Sequence, residues 1–222
     1  MEAYKREFID FLKEANVLKF GDFTAKSGRK IPYFINAGEI KTGAQIARLG
    51  EFYAKAYSEK IGDKRCVLYG PAYKGISIAV SSAVALTKHG LDVPFFFNRK
   101  EAKDHGEGGT VIGAPLKGRV VIIDDVISAG TSVRESVALI TANGATPAGV
   151  LIALDRMEKG GDAVNLTATS AAQDVEKTFN MPVVSIANLK DLLSFMDGDS
   201  PAAKAAAQYR EAVKAYREQY GA

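Results

Sequence analysis

Val120-Val121-Ile122-Ile123-Asp124-Asp125-Val126-Ile127-Ser128-Ala129-Gly130-Thr131-Ser132 is the stretch on which the fold turns. Four apolar β-branched residues run without a break into two carboxylates. A loop of small residues follows, and residues 131–143 then show helical spacing. An unbroken apolar run predicts a strand buried on both faces, as in a parallel sheet covered by helices. In open sheets of that kind ligands bind beyond the carboxyl ends of the strands. Asp124 and Asp125 are therefore expected at the lip of the sheet. Adjacent strand residues point to opposite faces, so the two acids are expected to do different work.

The loop that follows suits a phosphate monoester. Ala129 and Gly130 allow close backbone approach, Ser128, Thr131 and Ser132 offer hydroxyls, and the start of a helix favours an anion. The carboxylates cannot be the phosphate's partners. They suit vicinal hydroxyls or a hydrated Mg²⁺. A phosphate beside a diol describes a ribose 5-phosphate. An isolated Asp-Asp would simply cap a turn; the order of strand, acid pair, small loop and helix is what carries the functional reading.

Outward from this stretch, strand and helix alternate. Residues 66–69 read as a short strand, 70–75 as a glycine loop, 76–89 as a helix and 93–98 as a strand. On the other side, 148–154 reads as a strand, and 171–179, 182–187 and 188–196 as helix, strand and helix. Alternation of this kind implies a parallel sheet with helices on both faces. Residues 2–18 form an amphipathic helix in this reading. Residues 20–26 and 31–37 form a hairpin, 44–61 a helix closed by Gly62, and 201–220 a last helix. Residues 98–113, polar and glycine-rich, suit a long loop or flexible hairpin.

The bulk numbers bound the remainder. The 222 residues suit one domain, and a net charge of +3 from 29 basic and 26 acidic residues argues against nucleic acid or an acidic membrane face. A single cysteine, Cys66, leaves no internal disulfide and fits a reducing compartment; it reads as buried filler. Residues 1–11 lack a signal-peptide core, and no apolar stretch approaches the ~20 residues of a membrane span. The expected location is the cytoplasm.

Three further segments carry possible chemistry. Gly70-Pro71-Ala72-Tyr73-Lys74-Gly75 follows a strand and precedes a helix, so it lies on the same lip as Asp124. It reads either as an ordinary turn or as a second anion loop with Lys74 as a point charge. Residues 98–109 hold Arg99, Lys100, Lys103 and His105 with Gly106, Gly108 and Gly109 as hinges, and their charges balance, so a solvated loop and a catalytic lid both fit. Lys26 and Arg156 are each an ordinary surface cation taken alone, though a guanidinium can hold a carboxylate through two parallel hydrogen bonds.

The 120–132 string resembles the phosphoribosyl pyrophosphate (PRPP) motif of type I phosphoribosyltransferases. Gly70-Pro71-Ala72-Tyr73-Lys74-Gly75, Phe97-Asn98-Arg99-Lys100-Glu101-Ala102-Lys103-Asp104-His105-Gly106-Glu107-Gly108 and Phe23-Thr24-Ala25-Lys26-Ser27-Gly28-Arg29-Lys30 resemble its orotate branch. The likeness runs in order from about residue 18 to 157, and more weakly to about 196. It implies an α/β fold of the type I phosphoribosyltransferase kind: a central, mostly parallel sheet flanked by helices, a small N-terminal hood and a flexible catalytic loop. The whole chain, 1–222, would be one domain, with the hood at 18–40, the core at 44–196 and a terminal helix at 201–220.

The resemblance also implies roles. PRPP would be held by Lys26, Tyr73, Lys74, Arg99, Lys100, Lys103, His105, Asp124, Asp125, Val126, Ile127, Ser128, Ala129, Gly130, Thr131 and Ser132. Tyr73 and Lys74 would take its pyrophosphate. Orotate would be held by Lys26, Phe34, Ile35, Ser128 and Arg156, and the catalytic set would be Lys103, His105, Asp124 and Asp125. Mg²⁺ would arrive on PRPP and be reached through water by Asp124 and Asp125, with no direct protein ligand. The lid would close over the neighbouring subunit's site in a homodimer. Two positions depart from the family pattern: Ile35 stands where an aromatic residue is common, and Ser128 where threonine is usual. Residues 157–167 also depart from it and read as a surface excursion without a role.

The implied reaction joins orotate to the ribose of PRPP. A purine or uracil phosphoribosyltransferase would keep the 120–132 motif without needing Lys26 and Arg156 for a carboxylate. A PRPP-sensing nucleic-acid regulator would keep the phosphate loop and lose the lid.

Overall fold

Alternation along the strands decides which layer each residue serves. In the computed structural model Cys66, Leu68, Val121, Ile123, Leu151 and Ala153 pack into one apolar cluster, while Val67, Tyr69, Val120, Ile122, Val150 and Ile152 pack into another. Both faces of the sheet are thus covered, and the apolar runs are unbroken because neither face meets water. The structure describes residues 1–25, 28–63, 65–103, 109–161 and 164–222; for Lys100, Ala102, Lys103 and Gly109 it describes the backbone only.

The chain opens with α1 (Ala3–Glu14), β1 (Leu18–Thr24), β2 (Lys30–Ile35) and α2 (Gly43–Lys60). It continues through β3 (Cys66–Gly70), α3 (Lys74–Leu86), β4 (Phe95–Lys103), β5 (Gly109–Gly113), β6 (Arg119–Asp124), α4 (Thr131–Ala142) and β7 (Thr146–Asp155). A short β8 (Lys159–Gly161), β9 (Leu166–Ser170), α5 (Ala171–Phe179), β10 (Val183–Asn188), α6 (Leu189–Phe195), α7 (Pro201–Ala207) and α8 (Arg210–Tyr220) follow. The main sheet has six strands in the order β10-β7-β6-β3-β4-β5. All its pairings are parallel except β4 with β5. This is the expected mostly parallel sheet flanked by helices. The antiparallel pair accounts for the glycine-rich 98–113 segment, whose strands reach further than the sequence suggests; its tip, 104–108, lies outside the described residues.

Helices α2 and α3 cover the first face, packed closely because Gly50 lies against Ser81: a Cβ there would meet the Ser81 carbonyl oxygen at 2.5 Å. Helices α4 and α5 contribute to the second. Cys66 is fully buried at the start of β3, as expected of a filler, and burial, then the Asp63 charge, pushes its thiol up.

The hood is the antiparallel β1–β2 ribbon, with Leu18 opposite Ile35 and a bulge between Phe20 and Phe23. It carries the expected hairpin, but α1 stops earlier than predicted. Asn16 takes a left-handed conformation at φ 58°, which ends the helix and leaves Leu18 to begin the strand. The predicted terminal helix is divided in two. Tyr209 breaks it between α7 and α8 and stacks its ring on Phe20 of the hood, centroids 5.7 Å apart. The 157–167 excursion is a small β8–β9 hairpin folded against the hood. The buried Arg29 donates to the carbonyls of Lys159 at 2.7 Å and Gly160 at 2.9 Å and lies 5.0 Å from the Tyr220 ring.

Candidate active site

The carboxyl ends of β3, β6 and β7 open on one rim of the sheet, because parallel strands share a direction. Asp124 ends β6 and Asp125 follows it; the two carboxyl groups lie close together but take different partners. The Asp124 carboxylate accepts from its neighbour's backbone N–H at 2.9 Å and from the Ser132 hydroxyl at 3.2 Å. The Asp125 carboxylate accepts from the Val126 N–H at 3.0 Å and from the Lys74 ammonium at 2.9 Å. Behind them the Tyr53 hydroxyl donates to the Asp124 carbonyl at 2.7 Å, and the Ala153 N–H to the Asp125 carbonyl at 2.9 Å. The acid pair is thereby fixed from two neighbouring elements. Burial, then the Asp125 charge, pushes the Asp124 carboxyl up to about 7.

Two loops face this pair. The loop after β3 is drawn tight. A Cβ on Gly70 would meet the Gly75 carbonyl oxygen at 2.3 Å, and one on Gly75 would meet Ile123's at 2.8 Å. The peptide between Ala72 and Tyr73 is cis, and the Asn98 side-chain oxygen accepts from the Ala72 N–H at 2.8 Å. Lys74 opens α3 and Tyr73 stands out toward solvent. After β6, Gly130 takes φ 71°, a conformation that favours glycine, and α4 begins at the next residue. Side chains cap α2, α5, α6 and α7; the starts of α3 and α4 have no such cap, so their first-turn N–H groups are not spent on one. The Arg134 guanidinium donates to the Ala129 carbonyl, turning one loop oxygen toward a cation.

Between this rim and the hood lies a cavity of about 480 Å³. Its lining brings together Phe34 and Ile35 from β2, Lys74, the 126–129 segment and Arg156, which are four separate stretches of sequence. The Phe34 ring is exposed and lies beside the Phe23 ring, centroids 5.6 Å apart, whereas Ile35 turns its side chain into the core. The Arg156 guanidinium donates to the Ser128 hydroxyl at 3.2 Å, and its Nε lies 3.7 Å from the Glu158 carboxylate. Glu158 in turn accepts from the Tyr33 hydroxyl at 2.9 Å. On the α4 side of Asp124, a second hollow of about 350 Å³ is lined by Arg99, Asn98 and Ser132 among others.

A phosphoribosyl transferase domain model matches residues 36–176. The orotate phosphoribosyltransferase of Herminiimonas arsenicoxydans is 57% identical over 221 residues, covering 100% of this chain and 99% of that protein. The chain belongs to the orotate phosphoribosyltransferase family. The orotate phosphoribosyltransferase of Vibrio vulnificus (strain CMCP6) is 55% identical over 224 residues, covering 100% of both chains. The crystal structure of the orotate phosphoribosyltransferase of Francisella tularensis superposes with a TM-score of 0.80 at 36% identity, covering 97% of this chain and 100% of that one.

Within this orotate phosphoribosyltransferase family fold, the residues singled out in the sequence fall into three groups. Tyr73, Lys74, Asp124, Asp125 and the stretch Val126, Ile127, Ser128, Ala129, Gly130, Thr131 and Ser132 share the rim with Phe34, Ile35 and Arg156. Arg99 lies on β4, toward the second hollow. Lys100 and Lys103 are placed in β4 by their backbones alone, and Lys26 and His105 lie outside the described residues. Four residues at the site had no role in the sequence reading: Asn98, Tyr53, Tyr33 and Glu158. Asn98 lay inside a motif already quoted. The others come from segments with no local signal, and only the fold brings them in.

The acid pair also bears on metal. Among the described residues no group of three or more His, Cys, Asp and Glu could hold an ion. One acid is already paired with Lys74, and the other has a single hydroxyl donor besides the next residue's backbone N–H. Such a set fits an ion brought in on a polyphosphate and touched through water, since Mg²⁺ commonly uses one or two carboxylates plus substrate phosphates.

Proposed function

We propose that the chain transfers the 5-phosphoribosyl group of PRPP to N1 of orotate, giving orotidine 5'-monophosphate and pyrophosphate, as a step of pyrimidine nucleotide synthesis. The observation that carries this reading is the single rim on which a lysine-bearing loop, an acid pair, a phosphate-type loop and an arginine-walled cavity converge.

PRPP lies with its 5-phosphate in the 128–132 loop, its ribose hydroxyls at Asp124 and Asp125, and its pyrophosphate at Tyr73 and Lys74. Orotate occupies the cavity between Phe34 and Arg156, with its carboxylate on the guanidinium and Ser128 beside it. Mg²⁺ bound to PRPP, reached through water by Asp124 and Asp125, would supply charge neutralisation at the pyrophosphate. As the C1–O bond breaks, its electron pair leaves with pyrophosphate, where Lys74, Lys103 and His105 stabilise the added negative charge. The carboxylates offset the positive charge left on the ribose, and the orotate N1 lone pair forms the new bond. The N1 proton passes to the leaving pyrophosphate, and because N1–H is acidic no strong general base is required. Lys26 approaches both substrates from the hood, while Arg99 and Lys100 also contact PRPP. The 98–109 segment closes over the site of a partner subunit in a homodimer, excluding water that would hydrolyse PRPP. The lone, buried cysteine supports a reducing, cytoplasmic setting, and no described helix is long and apolar enough to cross a membrane.

The test is orotate consumption followed by ultraviolet absorbance. Loss of orotate only when PRPP and Mg²⁺ are both present is the expected result. Turnover of uracil or a purine in place of orotate would overturn the base assignment, and no turnover with any base would overturn the reaction.

A further inference from the structure

Arg156 is not free to choose its orientation. Its Nη2 is tied to the Ser128 hydroxyl, while its buried Nε has no hydrogen-bond partner among the described residues and faces the Glu158 carboxylate 3.7 Å away. That carboxylate is itself oriented. The Tyr33 hydroxyl donates to it from the hood, and burial, then the Glu158 charge, pushes Tyr33's ionisation well up, so the phenol remains a donor across the neutral range. The backbone around Glu158 is pinned as well. Glu158 bridges to Gly221, Met157 accepts from the Ala222 N–H at 3.0 Å, and the next two carbonyls are gripped by the buried Arg29. A carboxylate held this firmly at the wall of a cavity meant for an anionic base would repel that base, unless its charge is spent on the arginine between them.

We propose that Glu158 is a positioning residue for base recognition. It anchors the Nε side of Arg156, keeps the outer nitrogens turned into the cavity and thereby sets the preference for a carboxylate-bearing base. This rests on Arg156 being the partner of the orotate carboxylate.

The experiment uses the full chain with orotate and PRPP varied in turn. Glu158→Gln keeps the size and an acceptor oxygen for Tyr33 but removes the charge. It should raise the KM for orotate about tenfold while kcat and the KM for PRPP move less than about twofold. Glu158→Asp, which restores the charge, should fall between. In an Arg156→Ala background Glu158→Gln should not raise the orotate KM further and should lower it, because the carboxylate left without its arginine repels the base. Tyr33→Phe gives an independent variant with the same signature at smaller size. An unmoved orotate KM in Glu158→Gln, where Arg156→Ala does raise it, would overturn this role alone. A joint fall in kcat and in affinity for both substrates would also overturn it, as the mark of general disruption. If Arg156→Ala leaves orotate binding intact, the base-site reading itself fails.

Discussion

Asp124 holds a carboxyl that titrates near neutrality, at about 7, against an ordinary value of 3.8. Between those limits the folded protein keeps a proton that the unfolded chain releases. The group's contribution to stability is therefore fully present below the ordinary value and is lost as pH rises through about 7. Asp124→Asn carries no such charge. In thermal melts of the ligand-free protein it should flatten the fall of Tm between about pH 4 and pH 8 and exceed the parent at the alkaline end. Equal slopes for the two proteins would show that Asp124 ionises normally. That two acids would stand at the rim was legible in the sequence, from an apolar run ending in Asp-Asp. That one of them would be hard to ionise was not, because burial and the Asp125 charge set it and Ser132 and Tyr53 complete the surroundings, and their meeting is tertiary.

At the scale of elements, the β3–α3 loop is closely fitted. Gly75 faces the Ile123 carbonyl across the space a methyl group would need, and Pro71 Cδ would lie 2.6 Å from that methyl. Backbone on one side and a ring on the other leave little room to give way. Gly75→Ala should lower stability by about 1–3 kcal/mol and raise the KM for PRPP more than that for orotate, since the loop carrying Lys74 must shift. Thermal melts and initial rates check both halves; a neutral substitution would show the loop to be softer than its contacts suggest. Strand, glycine loop and helix were legible here because each has a local cause in residue type. The division of the last helix was not. Residues 201–220 carry helix-forming composition throughout, and the break at Tyr209 comes with a ring stacked on Phe20 of the hood. The role of residues 157–161 escaped for a related reason: a charged, glycine-rich run looks like surface until Arg29 and Tyr33 are seen to hold it.

For the whole molecule, the sheet order places β4 and β5 at one edge, away from the β7 end that carries Arg156. If Lys103 acts on the partner's site, mixing Lys103→Ala with Asp125→Asn subunits restores one intact site in each mixed dimer. Random pairing then returns about a quarter of native activity, because half of the dimers are mixed and each has one good site of two. A lid serving its own subunit returns none. Activity measured after dissociation and reassociation of the two inactive variants distinguishes the cases.

The buried Cys66 has a practical consequence for anyone who wishes to watch these parts move. With one thiol in the chain, enclosed at the start of β3 and resistant to ionisation, the native protein offers thiol reagents no background. A cysteine introduced at exposed Val164, at the hood-facing hairpin, would take a fluorophore alone. The slow reaction of Cys66 itself would then serve as an internal clock for opening of the core.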